Sequence, residues 1–269
     1  MFSAEKPSAP ALILDLLLAA NHSDGLAVGE LVAASHLFGL SENSVRVSLV
    51  RLASEDKVES VGRGRYRLGP QAQDLARDVS AWRDVGERTR AWSGDWILVL
   101  SSSLGRSDRK ALRRRERALN LLGFREWERG AFVRPHNLVQ GVDAVRRRLH
   151  ALGLERQASV FLASEVDESR ASVMRGLWDV RALNSTYRRL RVQLEDWLAH
   201  SPALSLDVAA RESYLLGGQA IRQVVFDPLL PDPLVDVVAR ARFVDAVRRF
   251  DEAGHAIWNL FFESRRAAA

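Results

Sequence analysis

The sequence predicts an α+β protein in three parts: helices closed by a hairpin over 1–70, a mixed α/β unit over 93–167 and a helical region over 168–269. Three observations predict this. Apolar residues at helical spacing precede a glycine-punctuated alternating segment near residue 62. Strand-length apolar runs then alternate with basic helical stretches up to residue 163. Beyond residue 168 only helical periodicity remains.

Each element follows in order. Pro10 suits the first turn of helix one, whose stripe is Leu12, Ile13, Leu16 and Leu17. The run from Asn21 to Gly25 breaks it. Helix two covers about 28–36, with Leu31 and Val32 inward, and Gly39 ends that pair. Ser41 is an N-cap for helix three, in which Val45, Leu49 and Leu52 fall at i, i+4 and i+7 and mark the buried face. Val58 and Val61 then lead into a tight turn at Gly62 and Gly64. Arg63, Arg65 and Arg67 project to one side of the returning strand, Tyr66 and Leu68 to the other. Three helices followed by a two-stranded hairpin make a winged helix-turn-helix.

A polar connecting helix is expected over 71–92. The apolar run 96–100 reads as a strand, and a basic helix follows over about 107–122. Leu112, Leu119 and Leu122 hold one face of that helix, while Arg113, Arg114, Arg115 and Arg117 occupy much of the rest. A hairpin turns at Arg129 and Gly130, a helix covers about 142–152, and 159–163 is a further strand. The order β-α-β-β-α-β is that of a ferredoxin-like sheet. In the last part, Trp178, Leu183, Tyr187, Leu190, Leu194 and Trp197 mark a long helix closed at Ser201 and Pro202, and a second helix spans about 206–225. Pro228, Pro231 and Pro233 form a rigid connector. The final helix carries Val244, Val247, Phe250, Ile257, Leu260 and Phe261.

Composition narrows the function. With 47% hydrophobic and 27% charged residues, the 269-residue chain can bury a core. There is no cysteine, which excludes disulfides, zinc–thiolate sites, iron–sulfur clusters and cysteine nucleophiles. No apolar run approaches a membrane span, and the first residues do not read as a signal peptide, so a cytoplasmic protein without membrane association is expected. The net charge of +5 is uneven: −1 over 1–90, +7 over 91–150 and −1 over 151–269. The positive field in the middle suits an anionic partner.

A helix-turn-helix places its second helix in the DNA major groove. The outward face of helix three holds Asn43, Arg46, Val47, Val50 and Arg51. Arginine bonds guanine bidentately, asparagine reads adenine and valine touches a thymine methyl. Ser44 and Ser48 are placed to bond phosphate, and Ser41 at the helix start is a further DNA-binding candidate. The wing arginines 63, 65 and 67 suit the DNA backbone or minor groove. The near-neutral charge of this unit weighs against DNA binding.

The landmarks 44–52 and 62–68, Trp92 to Trp96 heading a strand, Leu122 to Phe124, Val133 to Pro135, Leu177 to Asp179 and Phe226 to Pro231 occur in an order that resembles the PaaX family of bacterial regulators. The resemblance covers nearly the whole chain. It implies a homodimeric winged-helix repressor of phenylacetate-type aromatic catabolism, bound to a palindromic double-stranded operator and released by an acyl-CoA effector such as phenylacetyl-CoA. It also implies a central domain of Cas2-like, ferredoxin-like fold. Two places depart from the pattern. Asp56 and Lys57 stand where the family carries a glycine and a bulky apolar residue, and Val238 to Ala241 stand where it carries Trp-Pro-Gly.

Beside the implied effector, Arg113, Arg114 and Arg115 are candidates for coenzyme A phosphates, and Trp178 and Tyr187 for its acyl group; a solvated or core role competes for each. Enzyme motifs are missing. The six histidines form no metal-ligand spacing, Gly62 and Gly64 lack the third glycine of a dinucleotide loop, and no nucleophile elbow or P-loop occurs. A Cas2-like domain raises the alternative of a metal-dependent nuclease. Its first strand would then need a terminal carboxylate, and here it ends in Ser101, Ser102 and Ser103. A winged-helix regulator with an unrelated ligand is the other alternative. No catalytic residue, metal or cofactor is expected.

Overall fold

The structure is a computed structural model that describes residues 6–20, 25–62, 64–73, 81–102, 104–105 and 107–267. Among these, the elements in chain order are α1 (Ala9–Ala20), β1 (Leu26–Ala27), α2 (Val28–His36), α3 (Glu42–Ser54), β2 (Val58–Gly62), β3 (Arg65–Leu68), β4 (Trp96–Leu100), α4 (Arg109–Leu121), β5 (Arg125–Glu128), β6 (Ala131–Pro135), α5 (Gly141–Ala151), β7 (Ser159–Ala163), α6 (Glu168–Arg175), α7 (Val180–His200), α8 (Leu206–Val225) and α9 (Val237–Ala267). Short 3₁₀ turns cover Ala81–Arg88 and Ser201–Ala203. The fold is α+β, with two small antiparallel sheets and many helices. The chain divides into two compact units: Met1–Arg83 with Leu190–Arg222 and Val244–Ala269, and Asp84–Arg189 with Gln223–Phe243.

In the first unit, α1, α2 and α3 meet a three-stranded sheet of order β1-β3-β2. Local chemistry sets each boundary. Glu30 reaches back to accept the Ala27 N–H at 2.7 Å, capping α2. Ser41 Oγ accepts the Ser44 N–H at 3.3 Å, capping α3. Gly25 has φ +61°, and a Cβ there would stand 2.1 Å from the Tyr66 carbonyl oxygen, so only glycine admits the β1–β3 pairing. Asp56 has φ 53° after α3. Leu12, Ile13, Leu16, Leu31, Val45, Leu49 and Leu52 bury against one another, and Ala210, Phe261 and Phe262 from the C-terminal helices belong to the same core. Burying one such side chain contributes about 1.5–3 kcal/mol.

The second unit holds a four-stranded sheet of order β5-β6-β4-β7, antiparallel throughout, in the chain order β-α-β-β-α-β. Its centre is β4, buried at Trp96, Ile97 and Val99. Arg134 on β6 is fully buried, and burial lowers its pKa. It donates to the carbonyl of Leu122, to Asn137 Oδ1 at 3.1 Å and to the Pro228 carbonyl at 3.5 Å. Asn137 in turn donates to Leu229 O at 2.7 Å. These bonds replace the regular backbone partners that the proline connector lacks.

Candidate nucleic-acid interface

Helix α3 divides into two faces. Val45, Ser48, Leu49 and Leu52 are buried, whereas Asn43, Arg46, Val47, Val50 and Arg51 are exposed. Val47 is 60% and Val50 is 72% exposed. Two exposed β-branched residues weaken a helix slightly and bury nothing, so local stability does not explain them. Glu42 receives Arg46 at 2.7 Å, and Glu55 lies 3.9 Å from Arg51. Both arginines are thus held along the helix by exposed carboxylates, in solvent-screened pairs that are weak and readily exchanged for another anion.

Ser41 lies exposed at the cap and Ser44 is half-buried. Ser48 is buried at 8% exposure, so its hydroxyl faces the core side rather than the Arg46 side. The sequence reading gave it a phosphate; the helix phase turns it inward.

The hairpin of β2 and β3 turns at Gly62 and Gly64, with φ +98° and +71°. Arg63 lies outside the described residues. Arg65 is half-buried. It donates to the Gly25 carbonyl at 2.6 Å and lies 3.9 Å from Glu30, the carboxylate that caps α2 and also receives Arg266 at 2.6 Å. Arg67 is exposed and pairs with Glu59 across the hairpin. The expectation that these arginines share one open face is therefore modified: Arg65 ties the hairpin to the α2 start, and Arg67 stands outside.

The effector candidates separate. Arg113 and Arg114 are exposed on α4. Arg115 is 3% exposed; it donates to both carboxylate oxygens of Glu155 at 3.0 and 2.6 Å and to Gly105 O at 3.2 Å. Those bonds raise its pKa and hold Glu155 below the usual carboxylate range. The sequence reading set Arg115 on the open part of α4; in the structure it shares the inward face with Ala118 and Leu119. Trp178 is buried, donates to Gly123 O at 3.1 Å and stacks on Trp96 at 6.3 Å between centroids. Tyr187 is buried and donates to Asp227, which lies 3.8 Å from Arg240. Burial raises the pKa of both Tyr187 and Asp227. Both aromatics are packed in the core with their polar atoms already bonded.

A cavity of about 490 Å³ lies beside α4 and the β5–β6 turn. Leu112, Phe124 and Phe132 give it an apolar wall, and Arg115, Glu116, Asn120, Arg125, Glu126 and Arg129 a polar one of mixed charge. Sequence reasoning did not find it, because its wall comes from a helix and a hairpin whose side chains carry no common motif. Among the described residues no group of three or more His, Cys, Asp or Glu is placed to hold a metal ion. None of their helices is long and apolar enough to cross a membrane.

Comparison with known proteins gives three findings. Residues 178–260 match the family described as PaaX-like protein C-terminal domain. No curated protein sequence matches the chain. A solved structure, that of the uncharacterized protein Rv0674 from Mycobacterium tuberculosis, is similar in fold: TM-score 0.65, 22% identity, covering 96% of this chain and 99% of that one. The C-terminal helices of this chain, residues 178–260, are thus similar to the PaaX-like C-terminal domain, and the fold as a whole is similar to that of the Mycobacterium tuberculosis protein.

Proposed function

We propose that this protein is a homodimeric transcriptional repressor that binds a palindromic DNA operator, residues 1–70 forming a winged helix-turn-helix with α3 as the reading helix. The observation that carries the reading is the solvent face of α3. Asn43, Arg46, Val47, Val50 and Arg51 are exposed together, opposite a buried face, beside a glycine-turned hairpin. A helix of this width fits the major groove, and a two-fold dimer offers one such helix to each half-site. The similarity of residues 178–260 to the PaaX-like C-terminal domain supports a regulatory role.

Within this reading, residues 93–167 form a ferredoxin-like, Cas2-like domain and the regulated genes serve phenylacetate-type aromatic catabolism. The effector is an aryl-acyl-CoA thioester. The cavity beside α4 supports an acyl site: its volume suits an aryl-acyl group with part of the pantetheine arm. Arg113, Arg114, Arg125 and Arg129 supply positive charge for the phosphates. Effector binding releases DNA by favouring a dimer whose half-site spacing no longer fits.

The test is a gel-shift titration against a randomised operator library, with Arg46→Ala and Val50→Asp as variants. Selective, salt-dependent binding that both variants reduce is the expected result. Undiminished binding by both would remove α3 from the reading role.

A further inference from the structure

A second cavity, of about 90 Å³, lies within the first unit among α1, α8 and α9. It is separate from the α3 face. Its floor is Asp15, the one charged residue of an otherwise apolar α1. Asp15 is 5% exposed. Its Oδ2 accepts the Tyr214 hydroxyl at 2.8 Å, but its Oδ1, also buried, has no hydrogen-bond partner among the described residues. A buried carboxylate oxygen without a donor is costly, and proteins rarely leave one so.

The remaining wall shows what kind of donor fits. Phe250 and Trp258 present aromatic surface. Gly217, Gly218 and Gly254 sit inside helices, where glycine is a poor choice. A Cβ on Gly254 would stand 3.8 Å from the nearest atom, ordinary contact, so close helix packing does not require glycine there; its effect is to leave the cavity open. Among the described residues, the titratable groups facing Asp15 are Tyr214 from α8 and Asp251 and His255 from α9, and the positive charge of the chain N-terminus also acts on it. Asp251 is already held by Arg83 at 2.5 Å and lies 3.6 Å from His255. No lysine or arginine is among the described residues lining the cavity. The volume holds roughly three or four non-hydrogen atoms, at about 30 Å³ each.

We propose that this cavity binds a small organic ammonium ion, its N–H donating to Asp15 Oδ1 and its alkyl part packed on Phe250 and Trp258. The carboxylate supplies the counter-charge, and the aromatic faces attract a cation as well as its methylenes. A neutral alcohol of equal size supplies one hydrogen bond but no charge. A proton is the competing occupant: burial raises the Asp15 pKa to about 6. Ammonium binding therefore weakens about tenfold per pH unit below that value.

The test uses the full chain at pH 7.5, with ethylammonium and propylammonium chloride as probes and propan-1-ol and potassium chloride as controls, read by calorimetry and by melting temperature. Saturable binding by the ammonium ions, in roughly the millimolar range for so few atoms, is expected, with none by the controls. Asp15→Asn keeps the acceptor for Tyr214 and removes the charge; affinity should fall at least tenfold. Gly254→Ala adds one methyl to the cavity wall and favours the helix, so it should raise the melting temperature of the free protein while weakening ammonium binding. Equal binding of propan-1-ol, or no saturable binding of either ammonium ion, overturns the proposal. So does unchanged affinity in Asp15→Asn or, should that variant not fold, in Gly254→Ala.

Discussion

Arg115 grips both carboxylate oxygens of Glu155, forty residues further along the chain, at 3.0 and 2.6 Å, although it stands at the end of a run of three arginines. Its neighbours Arg113 and Arg114 are exposed, so three adjacent identical residues have different physical roles. Arg115→Ala leaves Glu155 without its partner and should destabilise the protein by about 2 kcal/mol near neutral pH. Arg113→Ala and Arg114→Ala should stay within about 0.5 kcal/mol. Because the pair depresses the Glu155 pKa below 4.5, its contribution is present above that pH and lost as pH falls through the folded value. Urea titrations at pH 7 and pH 3 check this: the Arg115→Ala deficit should shrink at the lower pH.

Asp15 behaves in the opposite sense. Its pKa is raised, by burial, from 3.8 to about 6. The protonated form is favoured in the folded state, so stability is fully present below pH 3.8 and declines as pH rises through about 6, by about 3 kcal/mol in all. Asp15→Asn should remove this decline. Tyr214→Phe strips the remaining donor from the carboxylate and should cost about 1.5–3 kcal/mol at pH 7.5, less at pH 5. Denaturation midpoints between pH 4 and pH 8 decide both.

Gly25→Ala places a Cβ 2.1 Å from the Tyr66 carbonyl oxygen at φ +61°. Backbone must move, and the β1–β3 pairing should open. A loss of about 2–4 kcal/mol is expected, with faster amide exchange at Leu26 and Tyr66. Normal exchange there would show that the turn tolerates a side chain.

Operator binding separates reading from folding. Val50 and Arg46 are exposed, so Val50→Asp and Arg46→Ala should leave the melting temperature almost unchanged while costing about 1–3 kcal/mol at the operator. Arg65 is different, because it bonds Gly25 O. Arg65→Ala should lower stability and DNA affinity together, and parallel thermal melts and gel shifts distinguish the two patterns.

Arg134 has four protein acceptors in reach, including Asn137 and the carbonyls of Leu122, Pro135 and Pro228. Arg134→Met leaves these buried groups without donors and should cost about 3–5 kcal/mol. A folded variant of near-native stability would show that water replaces the guanidinium.

What the sequence alone determined was local. The α3 phase follows from Val45, Leu49 and Leu52 and the cap from Ser41, because a 3.6-residue period and a side-chain cap involve neighbours only. The hairpin follows from Gly62 and Gly64 because positive φ favours glycine. The strands at 96–100 and 159–163 follow from short apolar runs. Tertiary structure decided what those elements meet. Helical periodicity dominates beyond residue 168 apart from the proline connector, and nothing local announces that Leu190–Arg222 and Val244–Ala269 complete the core around α1 to α3 while Gln223–Phe243 do not. It buried Ser48 and Arg115, and it put Asp15 against Tyr214, 199 positions away. A carboxylate in an apolar helix reads as an anomaly until its distant partner is known; a contact across that separation leaves no period, cap or turn in the chain to announce it.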